Sequence, residues 1–149
     1  YQYFDSKEDL YEALLERIVE KLMALVDKQT MTKEPFTLSV WVTTLLNDVW
    51  DFLEADNGLY LQVVRNWSQL DFVSGMDVLE QKMLSVLSVY LLQQPTRISP
   101  NTGDLPARLY ILTNSILFTL LRYISKPSPL VSRQALIAEF ANMVERSLL

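Results

Sequence analysis

Apolar residues recur along this chain at the three- and four-residue spacing of an α-helix, in stretches separated by turn-forming residues. Leu10, Leu14, Ile18, Leu22 and Leu25 form the first stripe, while Glu8, Glu12, Glu16, Glu20 and Lys28 occupy much of the opposite side. Ser6-Lys7-Glu8-Asp9 precedes it. A serine hydroxyl that accepts from a helix N–H, with an acid at the third helical position reaching back, is a capping pair, so the helix starts here and runs to about Gln29. Pro35 suits the opening of a second helix, which Leu38, Trp41, Val42, Leu45, Val49, Phe52 and Leu53 carry to a stop at Asn57-Gly58. A shorter segment from Leu59 to about Gln69 is apolar widely enough to be an enclosed connector.

Ser74-Gly75-Met76-Asp77 repeats the cap pattern ahead of Leu79, Met83, Val86 and Tyr90, a helix that ends before Pro95. A loop from Pro95 to Pro106 leads into a fifth helix, about Asp104 to Ser125, apolar on nearly every side. After Lys126-Pro127-Ser128-Pro129 the last helix sets Ile137, Phe140, Val144 and Leu148 on one stripe, with Ala135, Ala138 and Ala141 beside it. Gly58, Gly75, Gly103 and all six prolines read as loop or helix-end residues. The expected fold is all-α, a bundle of about six helices. A helix that is apolar all round must cover its own domain and a second surface. The last two helices therefore predict a homodimer seam of four helices, built from Leu112, Ile116, Leu120, Tyr123, Ile137, Phe140, Val144 and Leu148.

With 149 residues, half of them hydrophobic, the chain is long enough for one domain with a substantial core. Its net charge of -5 repels phosphate, so this stretch by itself is not expected to grip DNA. Cysteine and histidine are both absent, which removes disulfides, Cys/His zinc sites, thiol nucleophiles and histidine general bases. The most apolar run, Leu109 to Ile124, is short for a membrane span and carries Thr113, Asn114, Ser115, Thr119 and Arg122. No export signal is legible, and a cytoplasmic location without membrane attachment is expected. The acidic residues are scattered and no calcium loop occurs, so neither a metal nor a cofactor is expected.

The opening residues, Tyr1-Gln2-Tyr3-Phe4-Asp5-Ser6-Lys7-Glu8-Asp9-Leu10-Tyr11-Glu12-Ala13-Leu14, closely resemble a segment of the TetR family of bacterial transcriptional regulators. In that family a pattern of Tyr, any residue, Tyr or His, Phe, any residue, Ser or Asn, Lys, Glu, any residue, Leu ends the DNA-recognition helix and begins the next. The match covers about a tenth of the chain, and elsewhere the likeness is architectural: the family's rear part is helical, ligand-binding and dimeric through its last two helices. The resemblance implies that residues 1–5 end the recognition helix of a helix-turn-helix whose remainder is not in this sequence, and that residues 6–149 are the ligand-binding and dimerisation domain. It implies operator DNA as a partner through that head. Tyr1, Tyr3 and Lys7 are implied as phosphate contacts, which a tyrosine hydroxyl and a lysine at a helix N-terminus can make. Phe4 is expected to pack the joint between head and body.

The resemblance further implies a small-molecule effector held between the first long helix and those after it. Trp41, Leu45, Trp67, Phe72, Met83 and Leu87 supply bulky or adaptable walls, and Asp48 and Asn114, with Thr44, Asn47 and Asn66, supply polar groups. Asp48, between Trp41 and Trp50, suits a wet helix face or a salt bridge to Arg65 more than a cationic ligand. The expected function is that of an effector-sensing regulator, a repressor released from its operator by a largely apolar ligand, and not of an enzyme. An alternative is an all-α dimeric adaptor that binds another protein without a small ligand. A carboxylate enzyme using Asp48, Asp51 or Glu54 has less support, because these lie along one helix at spacings typical of surface charge.

Overall fold

A computed structural model describes residues 6–30, 37–66, 72–92 and 103–148, and every element among them is helical. Helix α1 is Lys7–Thr30, α2 Leu38–Arg65, α3 Phe72–Leu92, α4 Leu105–Ser125 and α5 Arg133–Leu148. The fold class is therefore all-α, as the periodicity predicts. Four of the helix starts are fixed by oxygen-bearing side chains that accept from orphan N–H groups of the first turn. The Asp9 N–H donates to Ser6 Oγ (3.1 Å), Val40 N–H to Thr37 Oγ1 (3.4 Å), Ala107 N–H to Asp104 Oδ1 (3.1 Å) and Ala135 N–H to Ser132 Oγ (3.1 Å).

Two boundaries differ from the sequence expectation, each for a physical reason. Helix α2 begins at Leu38 rather than at Pro35-Phe36, because Thr37 is extended and carries the capping hydroxyl. Helix α3 begins at Phe72, so Ser74-Gly75-Met76-Asp77 lies inside a helix rather than at its start. Gly75 is there for contact: a Cβ at that position would stand 3.3 Å from Val19 Cγ2 of α1. Helix propensity opposes glycine in a helix interior, and the close approach of α1 and α3 overrides it.

The stop expected at Asn57-Gly58 is present as a break within α2. Ala55 is extended, and Asp56, Asn57 and Gly58 follow with φ of 53°, 60° and 75°. One turn of left-handed backbone interrupts the helix, which then resumes to Arg65 and is closed by Asn66. Left-handed backbone costs an L-residue about 1–2 kcal/mol. Packing across the break opposes that cost: the rings of Phe52 and Tyr60 stack with centroids 4.7 Å apart, and Tyr60, Val63 and Val64 are buried. The segment expected as an enclosed connector from Leu59 to about Gln69 is instead the second part of α2, which buries Tyr60, Val63 and Val64 and exposes Leu59, Gln62 and Arg65, so five helices are described where six were expected; residues 67–71 lie outside those described.

The core runs through α1, α2, α4 and α5, with Leu87 entering from α3. Helix α5 rests chiefly on α2, and α1 bridges α2 and α3. Three arginines tie helix ends to their neighbours. Arg65 Nε donates to the Ile124 carbonyl (3.2 Å), and Arg108 Nη1 to the Ser147 carbonyl (2.7 Å). Both place positive charge at a helix C-terminus, where unpaired carbonyls favour it. Arg133, at the start of α5, reaches Asp51 (3.0 Å) and Glu54 (3.3 Å) on α2 and lies 5.0 Å from the centroid of Trp50.

Candidate ligand cavity

The stripes that build the helices also leave a space between them. A partly open cavity of about 140 Å³ lies among the five helices. Leu15, Ile18, Val19, Leu22 and Val26 line it from α1; Trp41, Leu45, Val49 and Leu53 from α2; Gly75, Met76, Leu79, Met83 and Leu87 from α3; and Leu112, Thr113, Ile116, Leu120 and Ile124 from α4. Val144 closes it from α5. Gly75 helps to shape it, since the missing side chain lets α3 approach α1 without filling the space between them.

The walls are nearly all hydrocarbon, and the few polar groups decide what the space can hold. Lys82 borders it, but its Nζ pairs with Asp27 Oδ1 of α1 at 2.5 Å, so the cation is already neutralised. Trp41 and Thr113 differ. Both line the cavity, at 4% and 2% exposure, and neither the indole N–H nor the hydroxyl hydrogen-bonds to any described residue. A buried polar group without a partner costs about 1–3 kcal/mol. Both atoms lie behind the hydrocarbon surface of the wall, so that surface is almost wholly apolar.

No protein family, curated protein or solved structure compared with the chain matches it.

The residues expected at the pocket divide in an informative way. Trp41, Leu45, Met83 and Leu87 line the cavity. Trp67 and the side chain of Phe72 lie outside the described residues. Asp48 is half-buried and is not part of the wall, and Arg65, its candidate partner, points to the end of α4 instead. Asn114 faces the α3 side, donating to Glu80 Oε2 (2.9 Å) and to the carbonyl of Tyr110 (3.0 Å). Asn47 and Asn66 donate to carbonyls one turn back in their own helix. The amides of Asn47, Asn66 and Asn114 are thus engaged elsewhere, and the wall is left almost wholly apolar. Asp51 and Glu54, weighed as catalytic carboxylates, are partners of Arg133 at an exposed helix face.

The residues expected at a dimer seam point inward within the single chain. Ile137, Phe140, Val144 and Leu148 are core, Leu112, Ile116 and Leu120 line the cavity, and Tyr123 sets its ring edge against Trp50 while its hydroxyl donates to the Val131 carbonyl (2.7 Å). The outer side of α4 is apolar as well. Tyr110, Ile111 and Phe118 are 54%, 63% and 55% exposed, and Ala107, Ile111, Ser115, Phe118 and Arg122 make one stripe along the helix. Met143 is exposed on α5.

Of the implied phosphate contacts, Lys7 stands exposed in the first turn of α1, 5.5 Å from the Tyr11 ring centroid. Tyr1 and Tyr3 lie outside the described residues. Among the described residues no group of three or more acidic side chains gathers as a metal site, and no helix is long and apolar enough to cross a membrane.

Proposed function

We propose that this chain is the effector-sensing and dimerisation body of a bacterial, cytoplasmic regulator resembling the TetR family. It is a repressor that leaves its operator when a small, largely apolar molecule occupies the cavity. The observation that carries the reading is the double position of α1. This helix continues directly from the TetR-like pattern at Tyr1 to Leu14, and its Leu15, Ile18, Val19, Leu22 and Val26 are one wall of the cavity. A ligand that favours one placement of that wall favours one placement of whatever precedes it. Population shift follows if the ligand binds the two placements unequally.

The homodimer of this reading forms on the outer stripe of α4, where Ile111 and Phe118 expose apolar side chains on either side of the small Ser115. The same stripe also supports the adaptor reading, in which another protein docks there and the cavity plays no part. Operator contact belongs to the DNA-reading head, with Lys7 at its base.

The two readings separate in one measurement. The chain has no cysteine, so Lys7→Cys can carry a single spin label per subunit. In a dimer the label-to-label distance, measured by pulsed electron resonance, shifts when a ligand detected by thermal shift and calorimetry is added. An unchanged distance at saturating ligand would sink the regulatory mechanism.

A further inference from the structure

The cavity's own surface narrows what it can hold, on the reading that it is a ligand site. That surface is almost wholly apolar, built mainly from branched aliphatic side chains and the thioethers of Met76 and Met83. Charge of either sign has no counterpart there. Lys82 at the border is paired to Asp27, so a buried anion would have no counter-charge of its own. Among the described residues no carboxylate lines the cavity, and the Trp50 ring in its wall already has the Arg133 guanidinium 5.0 Å from its centroid, a charge that repels a second cation. Transfer of an unpaired ion into hydrocarbon costs far more than burial of one ring returns. A neutral hydroxyl or amide meets the same wall in milder form, because it leaves water without gaining a partner. Size completes the description. An apolar space of roughly 150 Å³ takes up a benzene-sized molecule, and this one measures about 140 Å³.

We propose that the cavity binds a compact neutral hydrocarbon, or a single ring carrying only small apolar substituents, and that burial of apolar surface supplies the affinity without a hydrogen bond to the protein. Selection is then by size and by the lack of polar groups. Exchanging a methyl group for a hydroxyl of the same size weakens binding, and adding a methylene tightens it while space remains. Met76 and Met83, unbranched and flexible, let the wall adjust to such small differences in shape.

Toluene, ethylbenzene, phenol, benzoate and benzylammonium make the test, since they share a ring and differ in apolar area, polarity and charge. Their binding to the whole chain is measured by calorimetry. Ethylbenzene is expected to bind about fourfold more tightly than toluene, the value of one buried methylene. Phenol is expected to bind about tenfold more weakly than toluene, since its hydroxyl replaces a methyl and finds no partner. Benzoate and benzylammonium are expected to bind more weakly still. The place of binding is read in the unaltered chain from nuclear Overhauser contacts between toluene protons and the methyl groups of Leu22, Leu45, Met83 and Leu87, which line the cavity from three helices. Phenol binding as tightly as toluene, with contacts to the same methyl groups, would overturn the hydrocarbon class while leaving the cavity a ligand site. Tighter binding of benzoate or benzylammonium than of toluene would overturn the neutrality. Toluene contacts that miss these methyl groups, or no binding of any probe, would remove the proposal together with the ligand-site reading on which it rests.

Discussion

The contact of α5 with α2 and the meeting of α1 with α3 are built from the same kinds of side chain, yet they pack differently. On the α5 side Ile137, Val144 and Leu148 are 2%, 2% and 0% exposed, and Arg133 and Arg108 fasten the two ends of the helix. On the α1 side Leu22 and Met83 are only half-buried and border open volume, and Lys82 with Asp27 is the ion pair that joins α1 to α3. Dispersion weakens steeply with a gap of less than an ångström, so an aliphatic wall beside a cavity holds its place less firmly than one in contact. The difference teaches that hydrophobicity alone does not make a rigid core. One side of the bundle is a close-packed platform, and the other is a wall beside open volume, held across to α3 by Lys82 and Asp27.

The contrast can be broken most decisively by truncation. Phe140→Ala, on the platform, is expected to cost about 3–5 kcal/mol, whereas Leu22→Ala on the wall costs about 1 kcal/mol, because its side chain is only half-buried. Chemical denaturation of both variants checks this, and equal losses would mean that the two sides are packed alike. Thr113→Val goes the other way. Replacing an unpaired buried hydroxyl by a methyl of the same shape is expected to stabilise the chain by about 1 kcal/mol. A loss in the melting experiment would show that the hydroxyl has a partner.

Arg133→Gln removes the clamp and its stacking on Trp50. Its partners Asp51 and Glu54 are largely exposed, so the expected loss is about 0.5–1 kcal/mol and shrinks in high salt. A loss unaffected by salt would assign the contribution to packing against the indole. The smallest effect on stability is expected at Ile111→Glu. An exposed surface substitution stays within about 0.5 kcal/mol, yet on the proposed interface it converts dimer to monomer in sedimentation. A dimer that survives this change does not use the outer stripe of α4.

How much of this is legible in the sequence depends on the kind of constraint. Helices are written in the spacing of Leu and Ile, and Ser6 and Asp104 mark starts because capping is local. Trp41, Leu45, Met83 and Leu87 were readable as wall because large apolar residues on neighbouring stripes converge wherever helices pack. Ser74-Gly75-Met76-Asp77 reads as a cap in the sequence because the reason for Gly75 lies on another helix, at Val19. The faces of α4 were not separable. Leu112, Ile116 and Leu120 make one apolar stripe and Ile111 and Phe118 another, so periodicity names two candidates and cannot say which turns inward. That Trp41 Nε1 lacks a partner among the described residues is further out of reach, since no pattern of residue types records it. Arg133 went unnoticed for a related reason: Asp51 and Glu54 face it only once α5 folds back on α2.

The left-handed turn at Asp56, Asn57 and Gly58 has a consequence for how the protein breathes. Helix growth is cooperative because each added residue closes a hydrogen bond on the turn before it, and a reversal of hand cuts that chain of dependence. Opening can therefore begin in Leu59–Arg65 without spreading into the first half of α2, which stays anchored by α5. Backbone amides after the turn are expected to exchange with solvent deuterium through their own, lower-energy opening, while those before it exchange only when the whole molecule unfolds.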